Sequence, residues 1–228
     1  MKRSWRWMTP LAALLVIVIW QLPDAPAQSD GPTRLTVLAY NMENFFDVFD
    51  DPYTEDEHTS VKPREEIHAV ADVLRKLDAD VIAVSEVENE YVLRAMIVES
   101  LGGMGYQYIA VPQSNSGRGI KVGVISRVPI VTVTSHRFQT LTLPGEEQTW
   151  RFARDLLKVR IEPSKGRFVD LYVVHFKSRR DSKGDPNSSK WRLSEAMRAS
   201  EIISEQIAAD PDARVLMLGD LNDTPDTR

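Results

Sequence analysis

The sequence predicts one mixed α/β domain. Short apolar runs with two-residue alternation recur along the chain, and stretches of helical period lie between them. No internal repeat or low-complexity linker divides it. The 228 residues are 43% hydrophobic and 27% charged, a composition that argues against disorder. The chain has no cysteine, which removes disulfide scaffolds, thiolate metal sites and cysteine nucleophiles together. The formal net charge of −5 supplies no overall basic field toward nucleic acid, although a local basic face could.

The first residues read as a secretory signal. Lys2, Arg3 and Arg6 precede the apolar run Leu11–Trp20, and Ala25-Pro26-Ala27 supplies small residues at a cleavage site. The run is shorter than the roughly 20 apolar residues that span a bilayer. The expectation is removal of residues 1–27, export to the periplasm or the extracellular space, and a domain over residues 28–228 with no stable membrane span. An uncleaved anchor flanked by Trp5, Trp7 and Trp20 is the alternative.

Leu35, Val37 and Ala39 alternate along a mostly buried first strand. An acidic stretch follows, from Glu43 through Asp47, Asp50, Asp51, Glu55, Asp56 and Glu57, with no Lys or Arg among them. A helix is expected from Pro63, with Ile67, Val70, Ala71, Leu74 and Leu77 on one face. Val81–Val84 reads as a short strand and Glu90–Ser100 as a helix ended by Gly102-Gly103. Five more strands are expected at Tyr106–Val111, Lys121–Ser126, Val131–His136, Leu156–Ile161 and Phe168–Val174, separated by turn residues. A long helix over Ser189–Ala209 carries Leu193, Met197, Ser200, Ile203 and Ile207 on one stripe, and Val215–Leu218 reads as a buried strand.

Several strands end in polar residues that a plain core does not need: Asn41 and Glu43, Glu86, His175, then Asp220 and Asn222. Oxygen-rich convergence with few carboxylates suits magnesium, which keeps waters and shares its shell with phosphate. Singly, each has a structural reading. Asn41 could cap a turn, Glu86 could be a first-turn acid, Asp220 and Asn222 could form an Asx turn, and His175 could be a satisfied core histidine.

The segments Leu38–Phe46, Asp80–Glu86, Arg118–Gly123, Val174–Arg179 and Leu218–Asn222 stand in the order of the motifs of the endonuclease/exonuclease/phosphatase superfamily, which the chain resembles over nearly all of residues 28–228. The resemblance implies a four-layered α/β/β/α sandwich with two mainly antiparallel or mixed sheets. It implies a metal-dependent phosphodiesterase, resembling bacterial extracellular nucleases, with Mg2+ (or Mn2+) as cofactor and a monomeric chain acting on a phosphodiester, nucleic acid first. By matching motifs, Glu86 would be the chief metal ligand, with Asn41 beside it and Glu43 a second acidic contact. His175 would donate to the scissile phosphate, Asp220 would orient or deprotonate water, and Asn222 would hold phosphate.

The family pattern also closes with a strand that carries an Asp-His pair. Here His58, His68, His136 and His175 all precede Asp220, so that pair and the closing strands are missing, and the expectation is a fragment that is poorly soluble or inactive. Lys177, Arg179, Arg180, Lys183, Lys190 and Arg192 crowd a loop after His175, which reads either as a nucleic-acid contact or as a solvated surface. Lys177 and Arg179, with Arg154, are the expected substrate contacts. Two other functions compete: a sphingomyelinase- or inositol-phosphatase-like hydrolase, with Phe45, Phe46 and Phe49 reaching a membrane, and a non-catalytic binding protein.

Overall fold

A computed structural model describes residues 34–56 and 59–224. The expected signal over 1–27 lies outside the described residues, as do Glu57 and His58. The elements are β1 (Val37–Phe45), α1 (Arg64–Leu77), β2 (Val81–Val87), α2 (Glu90–Ser100), β3 (Tyr108–Ala110), β4 (Lys121–Ser126) and β5 (Ile130–Ser135). They continue as β6 (Leu141–Thr142), β7 (Thr149–Trp150), β8 (Leu156–Ser164), β9 (Arg167–His175), α3 (Ser189–Ala209) and β10 (Val215–Asp220).

Two four-stranded sheets result, in the orders β1-β2-β4-β3 and β10-β9-β8-β5. Each is mixed in the same way. One edge strand runs parallel to its neighbour, β1 beside β2 and β10 beside β9, and the remaining pairs are antiparallel. Strand alternation places three cores. Val81, Ala83, Val122 and Val124 of the first sheet share one cluster with Leu157, Val159, Ile161, Leu171 and Val173 of the second. The intervening side chains Ile82 and Val84 join Ala71 and Leu74 of α1 and Val92, Leu93 and Met96 of α2. On the second sheet, Tyr172 and Val174 join Ala199 and Ile202 of α3 and the β6–β7 hairpin. Each fully buried Val, Leu or Ile here stabilises the fold by roughly 1.5–3 kcal/mol relative to exposure. The mixed α/β sheets agree with the sandwich that the sequence motifs imply.

Local chemistry explains the element ends. Asn89 caps α2, its Oδ1 accepting from the N–H of Tyr91 and Val92 at 2.9 and 3.1 Å. Pro63 stands one place before the first residue of α1, and Asp78 closes that helix in the left-handed region.

Four details depart from the sequence reading. The β6–β7 hairpin around Pro144-Gly145 was not expected; its two-residue strands are too short for alternation to show. Leu77, expected on the buried face of α1, is 49% exposed at the last position of the helix. The buried face of α3 is Arg192, Glu195, Ala199 and Ile202, while Leu193 and Ile207 point outward. Polar partners set that rotation: Glu195 accepts two backbone N–H groups, and Tyr172 Oη donates to Gln206 at 2.6 Å. Finally, β10 is an edge strand, not a buried one, so Leu216 and Met217 keep about 40% exposure.

Candidate active site

The polar residues meet where the C-terminal ends of two parallel pairs come together. Within β9–β10, Asp220 is in register with His175, and within β1–β2, Asn41 is opposite Ser85. Asn41 Nδ2 bridges the two sheets, donating to Asp220 Oδ2 at 3.0 Å and more weakly to Glu86 Oε1 at 3.4 Å. Its Oδ1 accepts from the Glu43 N–H at 2.9 Å. Glu86 Oε2 accepts from the Asn44 N–H at 3.1 Å. Asp220 Oδ1 accepts from the Asn222 N–H at 2.8 Å, and Asn222 Nδ2 donates to the Phe176 carbonyl at 2.9 Å.

Backbone strain aims these groups. The ladders of β1 and β2 are interrupted between Asn41 and Phe45 and between Ser85 and Val87. Glu43, Asn44 and Glu86 have φ of 51°, 56° and 57°. A bulge with an unpaired residue turns a side chain out of the strand's alternation, and non-glycine residues hold left-handed backbone only where neighbours enforce it. Gly219 has a stricter reason. Its φ is 134°, and a Cβ there would lie 2.1 Å from the Val174 carbonyl oxygen. Only glycine lets β10 approach β9 closely enough to set Asp220 beside His175.

His175 is 2% exposed. Its Nε2 stands 3.8 Å from Glu86 Oε1 and 3.9 Å from Asp220 Oδ2, and among the described residues its Nδ1 has no hydrogen-bond partner. Burial, then the Arg154 guanidinium, pull the imidazole down to about 4 against the opposing pull of Asp220 and Glu86. It is therefore neutral at neutral pH, with one N–H to donate.

A cleft of about 1060 Å³ opens beside this set, with Glu86, His175, Asn222, Arg154 and Lys177 in its wall. Arg154 spends one nitrogen on the Phe176 carbonyl at 3.1 Å, while burial pulls its guanidinium below the ordinary value. Lys177 stacks its ammonium 5.0 Å over the Trp191 ring. Arg179 turns away from the cleft, to the Asn222 carbonyl at 3.2 Å and Asp223 at 2.6 Å; the neighbouring Arg180 lines the cleft instead. Glu43 is exposed, and its tie to the cluster is its backbone N–H.

Three contributors escaped the sequence reading. Asn44 fixes Glu86 through its N–H and holds Arg118 through its side chain at 2.7 Å. Glu195, fully buried, accepts from the Ala153 and Lys177 N–H groups at 2.7 and 2.6 Å and so ties together the two segments that carry Arg154 and Lys177. Burial pushes its carboxyl up to about 7 despite those donors and the nearby cations. Trp191 lines the cleft. Asn44 could have been found, because it sits inside the Asn41–Phe46 motif; the other two carry no local signal.

The donor set fits a hard divalent cation. The Glu86 and Asp220 carboxylates share one amide donor, and among the described residues no Lys or Arg forms an ion pair with either. No group of three or more His, Cys, Asp or Glu among the described residues could hold a metal by itself. A magnesium-like ion needs no such cage; it binds through one or two carboxylates and keeps waters or substrate oxygens.

A model of the Endonuclease/Exonuclease/phosphatase family matches residues 36–228. The chain belongs to that family. Solved structures with a similar fold include a family protein from Bacteroides thetaiotaomicron, at 17% identity and a TM-score of 0.59 over 85% of this chain and 66% of that one. The human Nocturnin catalytic domain with bound sulfate anion is similar at 14% identity and 0.57, over 84% and 66%. D. rerio TDP2 complexed with single strand DNA product is similar at 14% and 0.52, over 85% and 62%. The chain thus spans less than two thirds of the length of each. No curated protein matches it in sequence.

Proposed function

We propose that this chain is the catalytic part of a magnesium-dependent phosphodiester hydrolase that acts on nucleic acid. One observation carries the reading: Asn41, Glu86, His175 and Asp220, from four strands of two sheets, converge within hydrogen-bond or ion-pair reach beside an open cleft. Family membership supports hydrolysis of phosphate esters, and a fold relative with a DNA product supports nucleic acid as the ligand class. Export is part of the proposal and rests on the Lys2–Ala27 pattern, with the mature domain over residues 28–228.

Glu86 and Asp220 would hold the cation, with Asn41 as their shared donor. A bound magnesium ion would screen the negative charge of a phosphate and its transition state. Asp220 would orient water for in-line attack and accept its proton. His175, neutral and hydrogen-bearing, donates to a phosphate oxygen, and its burial makes that bond stronger than one in water. Asn222, locked by Phe176 and Asp220, would offer its Oδ1 to a ligand hydroxyl or to water.

A lipid phosphodiester is the competing substrate. Phe45 and Phe46 cannot reach a membrane, because they are 4% and 3% exposed. Phe49 and Tyr53, 75% and 93% exposed on the acidic loop, still could. Incubating the chain with DNA and with sphingomyelin vesicles, each with magnesium or EDTA, separates the two. This reading expects EDTA-sensitive cleavage of DNA, where the motif order alone led to the expectation of an inactive fragment. Cleavage of sphingomyelin alone overturns the substrate class, and cation binding without turnover of either overturns catalysis.

A further inference from the structure

Resting on the reading above, we propose that the cleft is a subsite for single-stranded nucleic acid, with the Trp191 ring as a stacking platform for an unpaired base. At about 1060 Å³ the cleft lies just above the roughly 300–1,000 Å³ of small-molecule sites, much more than one phosphate needs. Its charge is one-sided. Arg118, Arg151, Arg154, Lys177 and Arg180 face two carboxylates, Glu55 and Glu86, and Glu86 is engaged with the catalytic set.

Unused hydrogen-bonding capacity points the same way. Among the described residues, Trp150 Nε1–H and Arg154 Nε–H are buried in the wall without a partner. Both are donors, the complement of an acceptor-rich polyanion. Beyond them stands Trp191, half-buried and pre-set. Its Nε1–H donates to the Arg151 carbonyl at 2.8 Å, and its backbone N–H donates to the buried Asp185 at 2.9 Å. With the indole N–H satisfied, part of the side chain packed on the third core and Lys177 over the ring, the group offers its cleft-lining surface and a cation together. A strand that crosses the catalytic set would find basic side chains for its phosphates and an aromatic ring for a base. In a duplex the base faces are stacked away, so this arrangement prefers a single strand.

The test is fluorescence anisotropy of a fluorescein-labelled oligothymidylate of about ten nucleotides, in EDTA, titrated with the 228-residue chain and its variants. Trp191→Ala is expected to weaken binding at least about tenfold, the scale of one lost base stack. Trp191→Phe is expected to restore it, and Trp191→Leu, which keeps apolar bulk without a ring, to behave like the alanine. The same oligonucleotide annealed to its complement is expected to bind more weakly and to ignore these changes. Equal affinity for all variants, or no binding by the unmodified chain, overturns the proposal. Turnover of methyl p-nitrophenyl phosphate, a diester without a base, tests the catalytic reading separately: loss of that activity alone counts against hydrolysis and leaves the subsite standing.

Discussion

Asn41 Nδ2 donates to Asp220 Oδ2 across 179 positions of sequence, at 3.0 Å. The bond joins the middle of β1 in one sheet, where its ladder with β2 is interrupted, to the last residue of β10 in the other. Both are edge strands, and each is parallel to the neighbour that carries the next functional group, Glu86 after β1 and His175 beside β10. The site is thus assembled between sheets.

Replacing Asn41 with Ala removes the donor shared by two carboxylates and leaves the packing of Met42 and Phe45 untouched. Turnover of a small phosphodiester is expected to fall about 10²–10³-fold, the effect of one preorganised donor. The thermal midpoint should move little, because the lost bonds lie at a partly exposed edge. A steady-state assay paired with a melting curve checks both, and a large drop in melting temperature would recast Asn41 as structural.

Gly219→Ala should act in the opposite way, on the fold first. The added Cβ meets the Val174 carbonyl at 2.1 Å, and the backbone is at a φ that side chains rarely adopt. Strain and overpacking together are expected to destabilise by on the order of 3 kcal/mol or more. A lower urea midpoint with an unchanged slope is the result to look for; an unchanged midpoint would mean that β10 relaxes away from β9.

Glu195 makes stability depend on pH. Burial holds its carboxyl at about 7 in the folded chain, above the ordinary 4.5. A carboxyl raised on folding contributes stability that is fully present below about pH 4.5 and is lost as pH rises through about 7. The change is on the order of 3 kcal/mol across that window. Glu195→Gln keeps one acceptor for the Ala153 and Lys177 N–H groups and removes the titration. The variant should gain on the unmodified protein between about pH 5 and about pH 8 in chemical unfolding. Parallel pH profiles for the two would show that the ionised carboxylate is fully compensated by Arg154 and Lys177.

Much of this molecule is written locally. Helix α2 and strand β4 keep the bounds read from sequence to the residue, and the motifs around Asn41, Glu86, His175 and Asp220 announce polar residues at or near strand ends. What sequence did not carry is tertiary. Glu195 lies off the apolar stripe of α3, and only the backbone donors of two distant loops explain why that face turns inward. Trp191 reads as a helix-start aromatic until the cleft is seen beside it. Phe45, Phe46 and Phe49 look alike in sequence, yet a left-handed Asn44 turns the chain so that the first two are core and the third is exposed. Arg179 belongs to a basic run, but Asp223 and the Asn222 carbonyl claim it.

Glu86 and Asp220, joined by Asn41, are proposed as one divalent-cation site beside the cleft. Manganese titration of the 228-residue chain, followed by the electron paramagnetic resonance of the free ion, tests it without any need for turnover. The expected result is one site that magnesium displaces, absent in Glu86→Gln and weakened in Asp220→Asn. Manganese binding that is unchanged in Glu86→Gln would place the cation elsewhere and refute the site.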